Sequence, residues 1–192
     1  MADTLRIDYE SHNGVRELID CLRYTLEGIS LNFDRWGERY VSGPGIYVAV
    51  VTGPSVAAFA DPMGRNKWPI DRCREIPGHI QSFFETAQEV ALSRDGAVVI
   101  SIDGVVQEQM VRFNDIMPGE RDDISEQTDD YEDWMGSRHM SALDTSRRPN
   151  VVTTLTLSEE SGRVTIFESG SFDSYDRSEL GGVWNVDGES YV

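Results

Sequence analysis

Hydrophobic positions along the chain recur first at the spacing of a helix and then at that of a buried strand. From Asn13, which is placed to cap a helix, apolar residues lie three or four positions apart: Val15, Leu18, Ile19, Leu22, Leu26 and Ile29. Residues 46–52, IYVAVVT, form a continuous apolar run bounded by glycines, which predicts a strand buried on both faces. The Pro-, Gly- and Arg-rich stretch after this run is predicted to be a loop. We expect the amphipathic helix to pack on the sheet.

The middle of the chain adds a second helix and a hairpin. A helix is predicted near residues 77–92, with Pro77 in its first turn and apolar side chains along one face. The run AVVISI at residues 97–102 predicts another buried strand. Asp103-Gly104 is a two-residue hairpin signal and leads into the second strand of the hairpin, VVQEQMVRF.

The last part of the chain alternates a polar loop, a short helix and two strands. Residues 114–135 carry many carboxylates without periodicity, which predicts a long surface loop. Ser137 is placed to cap a short helix that ends near Asp144, and the β-rich runs NVVTTLTL and RVTIFES follow, joined by the polar turn SEESG. Residues 171–192 predict an edge strand or a disordered tail. Together these elements predict one domain, residues 1–192, of the α/β or α+β class, with a mixed, mainly β-sheet core flanked by helices.

The charge of the chain narrows the range of its partners. The formal net charge is −17, and no cluster of Lys and Arg is present, which argues against binding to nucleic acid or an anionic membrane. Lys67 is the only lysine, a composition typical of proteins from high-salt cells, although an acidic protein of an ordinary cell is the alternative. Cys21 and Cys73 form no metal or redox pattern, and no signal peptide or run of about 18 apolar residues occurs. We expect a soluble, cytoplasmic protein with reduced thiols.

A short acidic segment stands where the second helix gives way to a buried strand. Asp95 would lie at the rim of the sheet, and Gly96 and Ala97 would let a ligand approach the backbone closely. Taken alone, an Asp-Gly pair at this place is more typical of a simple turn.

Two further polar segments favour binding of a phosphorylated ligand. Ser137, Arg138 and His139 bring a hydroxyl, a guanidinium and an imidazole to the predicted start of a helix, where free backbone N–H groups attract phosphate. The alternative is that Arg138 pairs with the acidic loop and His139 merely fills space. In the turn SEESG, Ser158 is able to donate to a phosphate and a glutamate to hold Mg²⁺ or Mn²⁺, although such a turn is usually only solvated.

Several well-known signatures are missing from the sequence. It contains no G-x-x-x-x-G-K-[ST], no G-x-G-x-x-G and no H-E-x-x-H, and a Ser-His-Asp triad would lack its G-x-S-x-G elbow. His12 and His79 have no partner at the spacing of metal ligands, so we interpret them as ordinary polar residues.

The order of the three polar segments resembles a known catalytic domain. DGA, a long loop, GSRHM at a helix start and a strand ending in LSEESGRVTIF are similar to the diadenylate cyclase domain, whose hallmarks are DGA, G-T-R-H-R and a Ser-Glu-Glu turn. The resemblance covers residues 77–168. It implies the fold of that domain and condensation of two ATP molecules into cyclic di-AMP and two pyrophosphates, with Mg²⁺ or Mn²⁺, in a face-to-face homodimer. Because the chain is acidic and has almost no lysine, the resemblance suggests a haloarchaeal member of that family.

The same resemblance implies a role for each motif residue. Asp95 would lie near a ribose 3′-hydroxyl, and Arg138 and His139 would complete the catalytic group. The nucleotide would be held by Gly96, Ala97, Ser137, Arg138, Ser158 and Glu159. The metal would be bound by His139 and Glu159.

The chain departs from the motif of the family at two positions. Ser137 replaces the threonine and keeps its hydroxyl, whereas Met140 replaces the second arginine and has neither charge nor donors. Loss of such a contact in a transition state costs about 2 to 4 kcal/mol, unless Arg147, Arg148 or Arg163 takes its place. Two alternatives to the enzyme therefore stay open: an adenine-nucleotide sensor with weak or no turnover, and an acidic scaffold without a small-molecule site.

Overall fold

The computed structural model of the chain describes residues 12–53, 55–116 and 130–181. Most of the predicted acidic loop and the end of the predicted tail, residues 182–192, lie outside this part. Within it the elements are α1 (Asn13–Asn32), β1 (Ile46–Val51), β2 (Ala60–Lys67), α2 (Ile80–Ser93), β3 (Ala97–Ser101), β4 (Gln109–Phe113), α3 (Ser137–Ser146), β5 (Val151–Leu157), β6 (Val164–Glu168), β7 (Ser171–Tyr175) and a 3₁₀ turn at Arg177–Glu179.

The strands form one mixed sheet in the order β2-β4-β3-β1-β5-β6-β7. β1 runs parallel to β3, and the other neighbouring pairs are antiparallel. Tyr47 of β1 is opposite Ala97 of β3, and Ile46 is opposite Leu157 of β5. The beginnings of β1 and β3 therefore meet the ends of β4 and β5 at one rim of the sheet. The predicted mixed sheet with flanking helices is confirmed.

Helices cover both faces of this sheet. α1 and α2 pack on one face, where Val48, Val50 and Leu155 belong to the larger apolar core. α3 packs on the other face, against a second core that includes Tyr47 and Ala49. Alternate residues of β1 thus enter different cores, and all six residues of the strand are buried, as its continuous apolar run predicts.

The starts of the helices differ in detail from the predicted ones. His12, not Asn13, precedes α1, and Gly136, not Ser137, precedes α3, without a side-chain capping hydrogen bond at either position. α2 begins three residues after Pro77, which therefore lies outside the helix. This matters at α3, because Gly136 has no side chain to cap the first backbone N–H groups of the helix.

The β3–β4 hairpin is present, but its turn is longer than the predicted two residues. Ser101 and Val105 face each other, since the Ser101 N–H donates to the Val105 carbonyl at 3.0 Å. Three residues therefore form the loop, and Gly104 adopts a left-handed φ of 83°, which glycine adopts without strain.

Both edges of the sheet are formed by polar strands. The segment predicted as a loop after β1 contains β2, which pairs with β4 on either side of a break between Pro62 and Lys67. Proline is tolerated there because an edge strand leaves one side of its backbone unpaired. β7 forms the opposite edge. Over the described residues, no helix has both the length and the apolar character required to cross a bilayer.

Candidate functional site

A cleft of about 610 Å³ opens on the α3 side of the sheet, at the rim where β1 and β3 begin and β4 and β5 end. Its walls come from segments that are far apart in the chain. The structure brings all eight residues predicted for the site to this cleft: Asp95, Gly96, Ala97, Ser137, Arg138, His139, Ser158 and Glu159. Their catalytic and binding roles stay predictions.

Asp95 lies in the tight connection between α2 and β3. Its Oδ1 accepts a hydrogen bond of 2.8 Å from the Gly96 N–H, and its own N–H donates to Oδ1 of Asn66 at 3.1 Å. Gly96 has a φ of 101°, and a Cβ there would lie 2.9 Å from Cγ of Met63. The chain bends at Gly96, and Asp95 before it presents a carboxylate that is 74% exposed at the cleft.

Arg138 connects the three polar segments. Its guanidinium lies 3.4 Å from Oε2 of Glu159 and 3.9 Å from Oδ1 of Asp95. The side chain is 24% exposed, so the charges are partly screened by water. Within the part of the chain that the structure describes, Arg138 pairs with these two carboxylates of the site, whereas most of the acidic loop proposed as its alternative partner lies outside that part.

The N-terminus of α3 also faces the cleft. α3 is ten residues long, and Gly136, Ser137, Arg138 and His139 all line the cavity. Backbone N–H groups in the first turn of a helix have no partner within the helix, and the helix dipole favours an anion at this end. The cleft thus combines such a helix start with a guanidinium, a combination suited to phosphate.

His139 is buried beside the cleft in its neutral form. It is 6% exposed, and its ring meets Trp134 edge-on with 5.2 Å between ring centroids. Within the described residues, its Nε2 has no hydrogen-bond partner. Burial, together with the charges of Arg138 and Arg163, lowers the pKa of His139 to about 4.

This lowered pKa predicts a specific dependence of stability on pH. Below pH 6.5 the unfolded chain binds a proton on His139 that the folded chain does not bind until about pH 4, so the free energy of unfolding decreases as pH falls through this window. The full shift corresponds to roughly 3 kcal/mol. Urea unfolding at pH 7 and pH 4.5 should therefore show a smaller loss of stability in His139→Gln than in the wild type. Equal losses in the two proteins would contradict the buried neutral imidazole.

Residues 72–172, slightly more than half of the chain, match the family model described as DAC, DisA bacterial checkpoint controller nucleotide-binding. The chain belongs to this DAC family. The match includes all three polar segments and therefore most of the cleft. No curated protein matches the chain.

The solved structures that match the chain are distant from it in sequence. The crystal structure of a hypothetical membrane spanning protein from Bacillus cereus is 13% identical, with a TM-score of 0.54 over 83% of this chain. The chain spans 64% of the length of that protein. A double cysteine mutant of DacA from Staphylococcus aureus is 14% identical over 85% of this chain and 89% of its own, with a TM-score of 0.46.

Among the described residues, no group of three or more His, Cys, Asp and Glu side chains is placed to hold an ion. Mg²⁺ in nucleotide sites is commonly bound by one or two carboxylates together with phosphate oxygens. Glu159, exposed at the cleft, and the unpartnered Nε2 of His139 fit such a shared ion.

Met140, which replaces the second arginine of the family motif, does not line the cleft. The side chain is partly buried against the core beneath α3. The three arginines considered as substitutes do not line the cleft. Arg147 pairs with Asp144 at 3.0 Å, Arg148 donates to a backbone carbonyl at 2.8 Å, and Arg163 pairs with an aspartate near β7 at 2.5 Å.

Sequence reasoning missed the apolar part of the cleft. Tyr47, Met63, Val111 and Phe113 line it alongside the polar residues. Tyr47 is buried, which raises the pKa of its hydroxyl, and the hydroxyl donates to the Ser141 carbonyl at 3.3 Å. The sequence did not indicate that Met63 lines the cleft, because the strand that contains it was predicted as a loop.

Proposed function

We propose that this DAC-family chain is a diadenylate cyclase that joins two ATP molecules into cyclic di-AMP and releases two pyrophosphates. One observation carries the proposal: Asp95, Arg138 and Glu159, from three distant segments, meet at one cleft beside the start of α3. Membership in a nucleotide-binding family supplies the class of ligand.

The two sides of the cleft suggest how ATP is oriented. The triphosphate binds Arg138 and the first N–H groups of α3, and the base lies against the apolar side formed by Met63, Val111 and Phe113. The ribose then lies between them, near Asp95. A cleft of about 610 Å³ is suited to one nucleotide rather than two.

Phosphate binding would prepare Asp95 for the reaction. The Arg138 guanidinium lies 3.9 Å from the Asp95 carboxylate. When a phosphate takes the guanidinium, the carboxylate is left to accept a hydrogen bond from a 3′-hydroxyl and to receive its proton as the oxygen attacks an α-phosphorus. The attack must be in line with the departing pyrophosphate, so positioning and neutralisation of charge contribute most of the rate.

Arg138, which is positively charged, and His139, which is neutral, bind the phosphates. Arg138 offers a fork of N–H donors, and neutral His139 offers its unpartnered Nε2 to a phosphate oxygen or to an ion. A divalent ion held by Glu159, His139 and phosphate oxygens would neutralise charge on the phosphate under attack.

The proposed reaction requires two copies of the chain. One cleft supplies one nucleotide, whereas the product joins two, so two identical clefts must face each other across a two-fold axis. A monomer is therefore inactive.

A second candidate is an adenine-nucleotide sensor that binds ATP without turnover. Met140 favours it, because the side chain packs against the core and supplies no charge to the cleft.

Incubation with ATP and Mn²⁺, followed by chromatography, distinguishes the enzyme from the sensor. The cyclase predicts accumulation of cyclic di-AMP and pyrophosphate in a 1:2 ratio, and their loss when the ion is chelated. The reaction is run at low salt and in molar KCl, because so acidic a chain is expected to need salt to screen its charge. Binding of ATP without product at either salt concentration would select the sensor.

A further inference from the structure

The segment between α1 and β1 contacts residues of the cleft from behind and lies outside the region that matches the family. The Gly43 N–H donates to the Glu159 carbonyl at 2.9 Å. The hydroxyl of Ser30, at the end of α1, donates to the Gly162 carbonyl at 2.6 Å. These two bonds hold both ends of the β5–β6 turn that carries the Glu159 carboxylate, whereas the family match begins only at residue 72.

Gly45 lies against the charged pair of the site. A Cβ at Gly45 would lie 2.5 Å from Nη1 of Arg138 and 2.8 Å from Cβ of Glu159, both shorter than real contacts of a Cβ atom. The Gly45 N–H donates to the Ala91 carbonyl of α2 at 2.9 Å, so the backbone is fixed and does not move away easily. A side chain here would therefore displace Arg138 and Glu159 rather than the backbone of Gly45.

Trp36 holds the same segment from the other side. Its ring lies directly over Gly43, where a Cβ would collide with it. Its Nε1 donates to the Ser30 carbonyl at 3.0 Å, which ties the ring to the end of α1. The segment is thus anchored at both of its ends, to α1 and to α2.

We infer that the segment of residues 30–45, here called the supporting segment, positions Arg138 and Glu159, and that the missing side chain of Gly45 sets where they lie. The effect of Gly45 on triphosphate binding rests on the proposed function. Its effect on the position of Arg138 is independent of that function, because it follows from packing alone. Gly45 is a positioning residue, since it acts through Arg138 and Glu159.

A matched pair of glycine substitutions tests the inference without any ligand. Gly45→Ala adds a methyl group against Arg138. Gly14→Ala adds the same group in α1, where its nearest neighbour is the His12 ring at an ordinary 3.6 Å. In ¹⁵N spectra of arginine side chains, with the Arg138 signal assigned by its loss in Arg138→Ala, the signal should move in Gly45→Ala and stay in place in Gly14→Ala. An unmoved Arg138 signal in folded Gly45→Ala would overturn the inference.

A double-mutant cycle tests whether the supporting segment affects ATP binding through Arg138. Gly45→Ala should raise the dissociation constant of ATP with Mn²⁺ about tenfold, a factor equivalent to about 1.4 kcal/mol. In the Arg138→Ala background the same change should have little effect, because the displaced group is already gone. Equal effects in the two backgrounds would show that Gly45 does not act through Arg138.

Ser30→Ala provides a test if Gly45→Ala does not fold. It adds no atoms and removes one hydrogen bond from the β5–β6 turn, so the Arg138 signal should again move, by less. No movement in this variant would likewise overturn the inference. Failure of the proposed function has a separate signature: a wild-type protein that binds ATP and makes no cyclic di-AMP, with the Arg138 signal still moving in Gly45→Ala.

Discussion

Asp95→Asn is expected to bind ATP with nearly unchanged affinity and to form cyclic di-AMP at least about 100-fold more slowly, the usual range for loss of a positioned acid or base. The asparagine keeps the shape of the side chain and an oxygen able to accept the 2.8 Å bond from the Gly96 N–H. It does not accept a proton from a 3′-hydroxyl. The ion pair that it removes, at 3.9 Å with a 74% exposed carboxylate, contributes little to stability.

Asp71→Asn is the matched control for this variant. Asp71 is also exposed, but it does not line the cleft, so its replacement by asparagine should leave turnover unchanged. Product formation is measured by chromatography and ATP binding by calorimetry on the same preparations. Full activity of Asp95→Asn would refute the role assigned to the carboxylate.

Arg138→Ala is expected to weaken ATP binding about 10- to 100-fold, since a charge-assisted hydrogen bond contributes about 1.5 to 3 kcal/mol. The variant also leaves Asp95 and Glu159 without their shared cation, so two carboxylates face the incoming phosphates. Arg138→Lys should recover part of the loss, because lysine restores the charge but not the planar fork of donors.

Arg72→Ala is the control for a general effect of lost positive charge. Arg72 pairs with Glu89 on the surface and does not line the cleft, so its removal should leave ATP affinity nearly unchanged. Calorimetric titrations of all three variants need one fixed salt concentration, because exposed charges are screened by salt. An unaltered dissociation constant in Arg138→Ala would contradict a phosphate contact at this residue.

Periodicity predicts the buried elements of this fold well and its edges poorly. The apolar spacing of α1 and the continuous run of β1 are local properties, and both elements lie where they are predicted. β2 has no such pattern, because most of its residues face solvent and Pro62 interrupts its pairing with β4. Its strand conformation depends on a partner some fifty residues away, for which the local sequence contains no signal.

The site shows the same division between local and long-range information. Residue types at element ends identify the polar segments, but their convergence depends on pairings such as Ile46 with Leu157. The contribution of Gly45 was not predictable, because the sequence does not show which side chains pack against a glycine. The sequence also does not show which arginines reach the cleft: Arg147, for example, pairs with Asp144 at 3.0 Å and does not line it.

The most direct test of the central claim is a crystal structure of the protein with Mn²⁺ and an ATP analogue that resists cleavage between its α- and β-phosphates. The account predicts phosphate oxygens within hydrogen-bond distance of Arg138 and the first N–H groups of α3, and the ribose 3′-oxygen beside the Asp95 carboxylate. An analogue bound at another surface, or bound in the cleft with its phosphates away from Arg138, would contradict the account.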